Sequence, residues 1–238
     1  MNALGATRPA FAAIATKVGH MAEHAGANKT SPEDETRTML SPPQTAITAD
    51  GVNMQALPEE MLIEHARLAK QDAISELIRR YQDAIYNLCY RMLGDAHEAE
   101  DATQEVFVKM YRHLDKYKSS YRFSTWLLSI ASHHCIDRLR KRRVSWVSLD
   151  APNVRNTYSS PPRVEELVIQ REEQNHIQQL LDTLKPDQRL VLILHYWYDL
   201  SYHEIAQILG STEGAVKTRA HRARRQLGRM LQQEGWSP

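Results

Sequence analysis

Two helix-start signals lie close together near the C-terminal end of the chain, at Ser201 and Thr212. Ser201 is followed three residues later by Glu204, which is the pattern of a capping box, where each side chain bonds the backbone N–H of the other residue. Gly210 can adopt the left-handed conformation that ends a helix, because it has no Cβ. Ser211 or Thr212 can then cap a second helix. These signals predict two helices joined by a tight turn.

The second of these helices is predicted to be amphipathic and strongly basic. Its apolar residues follow a 4-3-4 spacing and form one narrow stripe: Val216, Ala220, Ala223 and Leu227. The span from Lys217 to Arg229 carries six Lys or Arg and no acid, so we expect no i,i+4 ion pairs within it. Phosphates would supply the missing counter-charge. The pattern favours a DNA-binding helix-turn-helix over a helical hairpin with a solvated basic face. The residues predicted to face DNA are Lys217, Thr218, His221, Arg222 and Arg225.

The charge and cysteine content restrict where such a chain can work. Its 238 residues carry a net charge of only +1, so a surface for nucleic acid has to be local and balanced by acidic segments elsewhere. Cys89 and Cys135 lie within apolar-periodic segments, which favours small buried side chains over a disulfide and indicates a reducing compartment. No stretch approaches the ~18 apolar residues of a membrane-spanning helix. We therefore expect a cytoplasmic protein.

Composition and periodicity divide the chain into four segments. Residues 1–57 are rich in Ala, Thr, Pro, Gly and Ser, which predicts a largely disordered extension. Helical periodicity dominates residues 58–143 and 163–238, and residues 144–162 are a linker marked by Pro, Asn and Ser. The second helical segment opens with a helix predicted over Val164–Leu184. Because no stretch shows the period-2 alternation of a half-buried strand, the predicted fold is all-α: two small helical domains joined by a flexible linker.

Helix boundaries in the first domain follow from local signals. A long amphipathic helix is predicted over Asp72–Leu93, with Gly94 ending it. Asp95 and Glu98 have the spacing of a further capping box, which starts the next helix. A first short helix is predicted around Met61–Leu68, ahead of the long one, so the helix predicted from about Ser124 is the fourth.

Three features of the first domain indicate two kinds of partner. The helix after Asp95 exposes polar, mostly acidic residues, namely Glu98, Asp101, Gln104 and Glu105, although a solvated helix face is the simpler interpretation of these alone. Aromatic and cationic residues share the segment Tyr121–Trp126, where aromatic rings can stack on unpaired bases. The basic run Arg138–Arg143 suits a phosphate backbone. Together they predict single-stranded DNA on one side of the domain and a protein on the other.

Three segments resemble the bacterial sigma-70 family. Ala99–Phe107 is similar to the second conserved region of that family, Phe123–Ala131 to its promoter-melting segment, and Glu213–Arg224 to its −35 recognition helix. The two modules are joined without a middle domain, as in the extracytoplasmic-function subfamily, also called group 4. The resemblance covers about residues 60–235 and leaves out the N-terminal extension.

The resemblance implies the partners and the residue roles. The expected partners are core RNA polymerase through its β′ clamp and β flap, promoter DNA and an anti-sigma factor that could hold the protein at the membrane; no cofactor or small-molecule substrate is expected. The residues implied for polymerase binding are Glu98, Asp101, Gln104 and Glu105. Those implied for the melted −10 element are Ser119, Ser120, Tyr121, Arg122, Phe123, His133, Arg138 and Arg140. His133 stands where many relatives carry Asn, so different hydrogen bonding to the −10 base is expected. The five helix-turn-helix residues named above match positions that contact the −35 element.

Two other functions fit parts of the sequence. A stand-alone helix-turn-helix regulator would share the C-terminal module but leave the acidic face and the aromatic loop without a role. A metal-dependent hydrolase would need convergent histidines. The run His133–Cys135 cannot supply them, because consecutive helical residues point about 100° apart, and His195, His203 and His221 fall on separate predicted helices. We therefore predict no metal and no enzymatic activity.

Overall fold

The computed structural model describes residues 53–147 and 175–233, with side chains described up to Arg142 in the first range. The α-helices of these residues are α1 Glu59–Arg67, α2 Gln71–Leu93, α3 Ala96–His113, α4 Phe123–Val147, α5 over 175–182, α6 Pro186–Tyr196, α7 Tyr202–Ile208 and α8 Glu213–Gln233. Short 3-10 turns cover Met54–Ala56 and Leu114–Lys116. No β-strand is among the elements of these two ranges. The predicted all-α fold is confirmed.

The N-terminal module, α1 to α4, is built around the long helix α2. This helix contacts α1, α3 and α4, and its buried residues, such as Leu77 and Leu88, meet Val106 of α3 and Leu127 of α4 in one core. Gly94 ends α2 with φ 77°, as predicted. The Asp95 side chain then accepts a hydrogen bond from the Glu98 N–H at 2.9 Å, which starts α3.

The N-terminal module begins earlier than the sequence pattern predicted. Met54, placed in the disordered extension, is 4% exposed and belongs to the core. Arg80 of α2 fastens this segment, because its Nη2 donates to the backbone oxygens of Gln55 and Leu57 at 3.0 and 2.9 Å. A single turn of chain has no periodicity of its own, so only the contacts with α2 reveal that it is ordered. The rest of the predicted extension lies outside the described residues.

The C-terminal boundary of the N-terminal module also differs from the prediction. The linker was predicted to begin at residue 144, but α4 continues to Val147. The remainder of the linker and the start of the helix predicted over Val164–Leu184 lie outside the described residues. From residue 175 the chain is helical as predicted, and this helix stops before Pro186 begins α6.

The C-terminal module contains the predicted helix-turn-helix. Ser201 and Glu204 form the complete capping box of α7. Gly210 in the turn has φ 55°, in the left-handed region. Thr212 supplies the cap of α8, since its Oγ1 accepts a hydrogen bond from the Ala215 N–H at 3.2 Å. The predicted apolar stripe of α8, Val216, Ala220, Ala223 and Leu227, is buried throughout.

The two modules pack against each other at the C-terminal end of α2. Gln178 of α5 donates from Nε2 to the Arg91 carbonyl oxygen at 3.2 Å, and the Tyr198 hydroxyl donates to the carbonyl oxygen of Ala84. The Arg91 guanidinium lies 4.9 Å from the ring centroid of Trp197, a cation–π contact. α6 and α7 also contact α4. The two described ranges therefore pack into one body in spite of the two-module sequence.

Candidate nucleic-acid and protein interfaces

The residues predicted to face duplex DNA share one exposed side of α8. Lys217, Thr218, His221, Arg222 and Arg225 are all exposed, opposite the buried stripe. Lys217 differs from the expectation in one respect: its Nζ lies 2.7 Å from Glu213 Oε1, an i,i+4 pair with an acid just before the basic run. Arg222 and Arg225 have no ion pair with any residue of the described ranges. Their guanidinium groups are therefore available to phosphate or base edges.

Two other cations of α8 serve the fold instead. Arg224 donates from Nη1 to the Tyr202 hydroxyl of α7 at 2.6 Å, and Arg219 reaches Ser211 in the turn at 3.4 Å. They fix the angle between the two helices of the motif. The sequence pattern had assigned neither of them to the DNA-facing side, and their contacts show what they bind instead.

The acidic face predicted on α3 lies on the surface and is larger than predicted. Asp101, Gln104 and Glu105 are exposed along one side of the helix. Val108 and Tyr111 continue that line and are about half exposed, so we call these five residues the α3 stripe. Large apolar side chains open to water in line with acids are typical of a protein-binding surface. Val108 lies four residues after Gln104 and Tyr111 three residues after Val108, so helical spacing could have revealed both residues in the sequence.

Glu98 is half-buried, unlike the exposed residues of the α3 stripe. It is in the first turn of α3, where its carboxylate is 3.6 Å from Arg142 of α4. This contact joins the two helices. The Glu98 carboxylate, predicted to bind polymerase, is therefore close to a cation of its own chain.

The loop predicted to hold melted DNA is open to solvent. Ser119, Ser120, Tyr121 and Arg122 are exposed, and the Tyr121 ring is free to stack at 54% exposure. The Tyr117 hydroxyl donates to the Tyr121 carbonyl oxygen at 2.7 Å and holds the loop against the module. An exposed aromatic ring on a fixed loop, next to a cation, can receive an unpaired base.

Phe123, predicted as a DNA-contacting residue, lies in the core of the N-terminal module. Its side chain is 0% exposed, and its ring packs 5.3 to 5.4 Å, between centroids, from the rings of Tyr81, Tyr117 and Trp126. Phe123 opens α4, and this aromatic cluster decides where the loop ends. Phe123 therefore packs beneath the loop that carries Tyr121 and Arg122, and in this structure its own ring is not open to solvent.

The remaining residues predicted for the −10 element differ in orientation along α4. His133 is exposed and donates from Nδ1 to the Ser129 carbonyl oxygen at 2.7 Å, which leaves Nε2 facing solvent as an acceptor. Arg140 is exposed as well, next to Asp137. Arg138 instead turns toward α3, where its Nη1 lies 3.9 Å from Glu105. Arg138 therefore bridges two helices, and its assignment as a DNA contact is weakened.

The histidines and cysteines of the described residues do not come together as a set of metal ligands. His195 bonds the Leu200 carbonyl oxygen through Nδ1, while His203 is 3.9 Å from Glu213. The Cys89 and Cys135 thiols are buried and free, with their sulfurs 3.7 Å apart. In the part of the chain that the structure describes, no group of three or more His, Cys, Asp or Glu side chains could hold a metal ion. No helix within those ranges is long and apolar enough to span a membrane.

Comparison with known protein families identifies both modules. Residues 77–144, most of the N-terminal module, match the family model of sigma-70 region 2. Residues 174–227, which contain the helix-turn-helix, match that of sigma-70 region 4. The α3 stripe and the loop thus lie in a sigma-70 region 2, and the basic helix α8 in a sigma-70 region 4.

Curated relatives narrow the assignment. The chain is 40% identical over 178 residues to the ECF RNA polymerase sigma factor SigW of Bacillus subtilis, an alignment that covers 71% of this chain and 94% of SigW. It is 29% identical over 185 residues to the ECF RNA polymerase sigma-E factor of Escherichia coli, covering 75% of this chain and 96% of that protein. The chain belongs to the extracytoplasmic-function group of the sigma-70 family. As a sigma factor it binds core RNA polymerase and directs initiation at promoters with −10 and −35 elements.

Solved structures share the fold. CnrH, solved in complex with the cytosolic domain of CnrY, superimposes with a TM-score of 0.55 at 24% identity and covers 73% of this chain and 97% of CnrH. RpoE of Bartonella quintana, solved with the anti-sigma factor NepR, also has a TM-score of 0.55, at 23% identity, covering 66% of this chain and 96% of RpoE.

Proposed function

We propose that three separate surfaces divide the work of this sigma factor. The α3 stripe binds the β′ clamp of core polymerase, the loop Ser119–Arg122 with His133 captures melted −10 bases, and the exposed face of α8 reads the −35 element. The observation that carries the proposal is their chemical contrast. The stripe combines acids with exposed Val108 and Tyr111, whereas the two DNA surfaces present cations, hydroxyls and one open aromatic ring.

The two DNA surfaces recognise different states of the promoter. Arg222 and Arg225 lie on a helix that can enter the major groove, where guanidinium groups bond guanine edges in a bidentate manner. Tyr121 offers a stacking surface, which every unpaired base can use, and His133 Nε2 offers an acceptor that a flipped base with an exocyclic amine could reach. Sequence selection at −10 then depends on His133 more than on Tyr121.

The setting of this activity follows from the same proposal. The protein acts in the bacterial cytoplasm, where polymerase and promoters are, and it has no catalytic role of its own, since polymerase performs the chemistry. A relative of the same fold, CnrH, was solved with the cytosolic domain of another protein, and RpoE with an anti-sigma factor. An anti-sigma factor that covers the α3 stripe would compete directly with polymerase.

A pair of variants tests the division of surfaces in run-off transcription with purified core polymerase. Arg222→Ala should weaken −35 recognition by ~1–3 kcal/mol and leave the affinity for core unchanged. The double variant Asp101→Ala with Glu105→Ala should lower the affinity for core and leave −35 discrimination within the assembled holoenzyme unchanged. Arg229→Ala, a cation of the same helix outside the proposed contacts, is the matched control.

The outcome also distinguishes the alternative function. If both variants lose the same activity, the assignment of surfaces is wrong. If the protein alone binds a promoter duplex tightly and never supports initiation with core polymerase, it acts as a stand-alone regulator.

A further inference from the structure

A buried histidine lies directly beneath the α3 stripe. His134 of α4 is 5% exposed, and its two ring nitrogens approach residues one helical turn apart on α3. Nδ1 is 2.6 Å from Lys109 Nζ, and Nε2 is 3.4 Å from Glu105 Oε2. The ring therefore lies between an ammonium and a carboxylate that could otherwise pair directly at i,i+4.

These contacts determine the protonation state of the ring. An ammonium group can only donate hydrogen bonds, so His134 Nδ1 has to be an unprotonated acceptor. The ring is then neutral and carries its proton on Nε2, the nitrogen that faces Glu105. Burial, followed by the charge of Lys109, lowers the pKa of His134 and favours the same neutral form. The other charged groups that act on the ring are Glu105 from α3, and Arg138 and Asp137 from its own helix.

The Nε2 atom is buried and has no partner in hydrogen-bonding geometry among the described residues. A buried donor without a partner destabilises the folded protein, so it needs an explanation. The acceptor already next to it is the Glu105 carboxylate, whose side chain is more than half exposed and can rotate. Arg138 Nη1 approaches the other Glu105 oxygen at 3.9 Å. Both oxygens of Glu105 thus have a donor on the inner side.

We propose that His134 is a positioning residue: held neutral between Lys109 and Glu105, it directs its Nε2–H at Glu105 and orients that carboxylate for polymerase. This inference rests on the proposed role of the α3 stripe. Protonation of Nδ1 would place an N–H against the Lys109 ammonium 2.6 Å away, which forces the two groups apart. As the pH drops through the pKa of His134, Glu105 should lose this orientation. The affinity of the protein for core polymerase should then fall.

The experiment measures the affinity of the full chain for core polymerase between about pH 5 and pH 8. Wild type is compared with His134→Gln, which keeps an amide donor and acceptor but cannot titrate. We expect wild type to lose affinity relative to His134→Gln by about three- to tenfold on acidification. Because both proteins meet the same polymerase, titration of the enzyme cancels in the ratio. A ratio that stays constant with pH would overturn the inference.

Two further variants keep the result interpretable. Lys109→Met removes the ammonium that opposes protonation of His134, so the midpoint of the pH profile should lie at higher pH in this variant than in wild type. A merely structural role for His134 would not produce that shift. An unmoved midpoint contradicts the proposal. Glu105→Gln distinguishes a failure of the proposed docking surface from a failure of the proposed role of His134. If it binds core as wild type does at neutral pH, the proposed docking role of Glu105 fails. If it weakens binding while the wild-type to His134→Gln ratio remains flat, only the role of His134 fails.

Discussion

The Nη1 atom of Arg189 lies 2.6 Å from the backbone carbonyl oxygen of Met92, so a side chain of the C-terminal module caps the last turn of α2 in the N-terminal module. Arg189 is buried, and its Nη1 also lies 3.0 Å from Asp182. A cation at a helix C-terminus meets both the unpaired carbonyls and the negative end of the helix dipole. Sigma-70 regions 2 and 4 of this chain are therefore joined by a buried, charge-assisted contact in this arrangement.

Arg189→Ala should destabilise the packed protein. The Met92 carbonyl loses a charged donor and Asp182 loses its ion-pair partner, so we expect a decrease of ~1.5–3 kcal/mol in the free energy of unfolding. Urea denaturation followed by circular dichroism measures it. Arg225→Ala is the control, because that side chain is exposed and its loss should change stability by no more than about 0.5 kcal/mol. Equal effects of the two substitutions would show that the contact with Met92 contributes nothing.

Gly94→Ala should weaken the same junction by a different route. Gly94 has φ +77°, and a Cβ there would lie 3.2 Å from Asp182 Oδ1. The left-handed backbone alone disfavours alanine by ~1–2 kcal/mol, and crowding of Asp182 adds to this. Gly228→Ala is a control of opposite sign: it lies inside α8 with nothing near the added Cβ, so helix propensity should raise stability by ~0.5–1 kcal/mol. The proposed strain is absent if both substitutions stabilise the protein in thermal melts.

Substitutions of Phe123 and Tyr121 should have different effects, the first on stability and the second on DNA binding. Phe123→Ala removes a fully buried ring from the aromatic cluster, which should lower the free energy of unfolding by ~3–5 kcal/mol. Tyr121→Ala should leave stability nearly unchanged and weaken binding of a single-stranded −10 oligonucleotide to the holoenzyme by ~1–3 kcal/mol. Denaturation and fluorescence anisotropy measure the two effects. Unchanged oligonucleotide affinity in Tyr121→Ala would remove this ring from the proposed site.

Glu76 should make stability depend on pH in the acid range. Its buried carboxylate accepts hydrogen bonds from Arg79 at 2.7 and 2.8 Å and from Arg80 at 2.8 Å. The Arg79 hydrogen bonds are the largest influence and hold the pKa of Glu76 below its usual value of 4.5, against the effect of burial. Because the folded state binds this proton less readily than the unfolded state, the stabilisation is complete above the unfolded pKa. It is lost as the pH falls through the lower, folded pKa.

Glu76→Gln tests that relationship. The variant should be less stable than wild type by ~1.5–3 kcal/mol at neutral pH, and the difference should shrink as the pH falls below about 4. Urea denaturation at a series of pH values measures both curves. A constant difference across the series would mean that the ion pairs of Glu76 are not the cause.

Local structure was predictable from the sequence wherever a few neighbouring residues decide it. The capping box of Ser201 and Glu204 and the left-handed conformations of Gly94 and Gly210 depend on backbone groups within one turn, and each lies where the pattern predicted. The periodic stripe of α8 is buried for the same reason, since 3.6 residues per turn places its four members on one side.

Orientation relative to distant residues could not be predicted in this way. Phe123 and Tyr121 are both aromatic and two positions apart, yet the rings of Tyr81 and Tyr117 bury one and leave the other exposed. Arg138 and Arg140 belong to one basic run, but only Arg138 meets an acid of α3, at Glu105. Tyr81 and Glu105, which take part in these contacts, belong to other helices and lie far from Phe123 and Arg138 along the chain.

The sequence by itself determined the helices, their caps and turns, the all-α fold and the membership of two sigma-70 regions, because these depend on short-range spacing and residue type. The tertiary structure alone decided that Met54 joins the core, that Phe123 is buried, that His134 lies between Lys109 and Glu105, and that Arg189 caps α2. The contact of His134 with Lys109 joins residues 25 positions apart, and that of Arg189 with Met92 joins residues 97 positions apart. They arise when amphipathic helices pack on one another, and no local pattern encodes which pairs will meet.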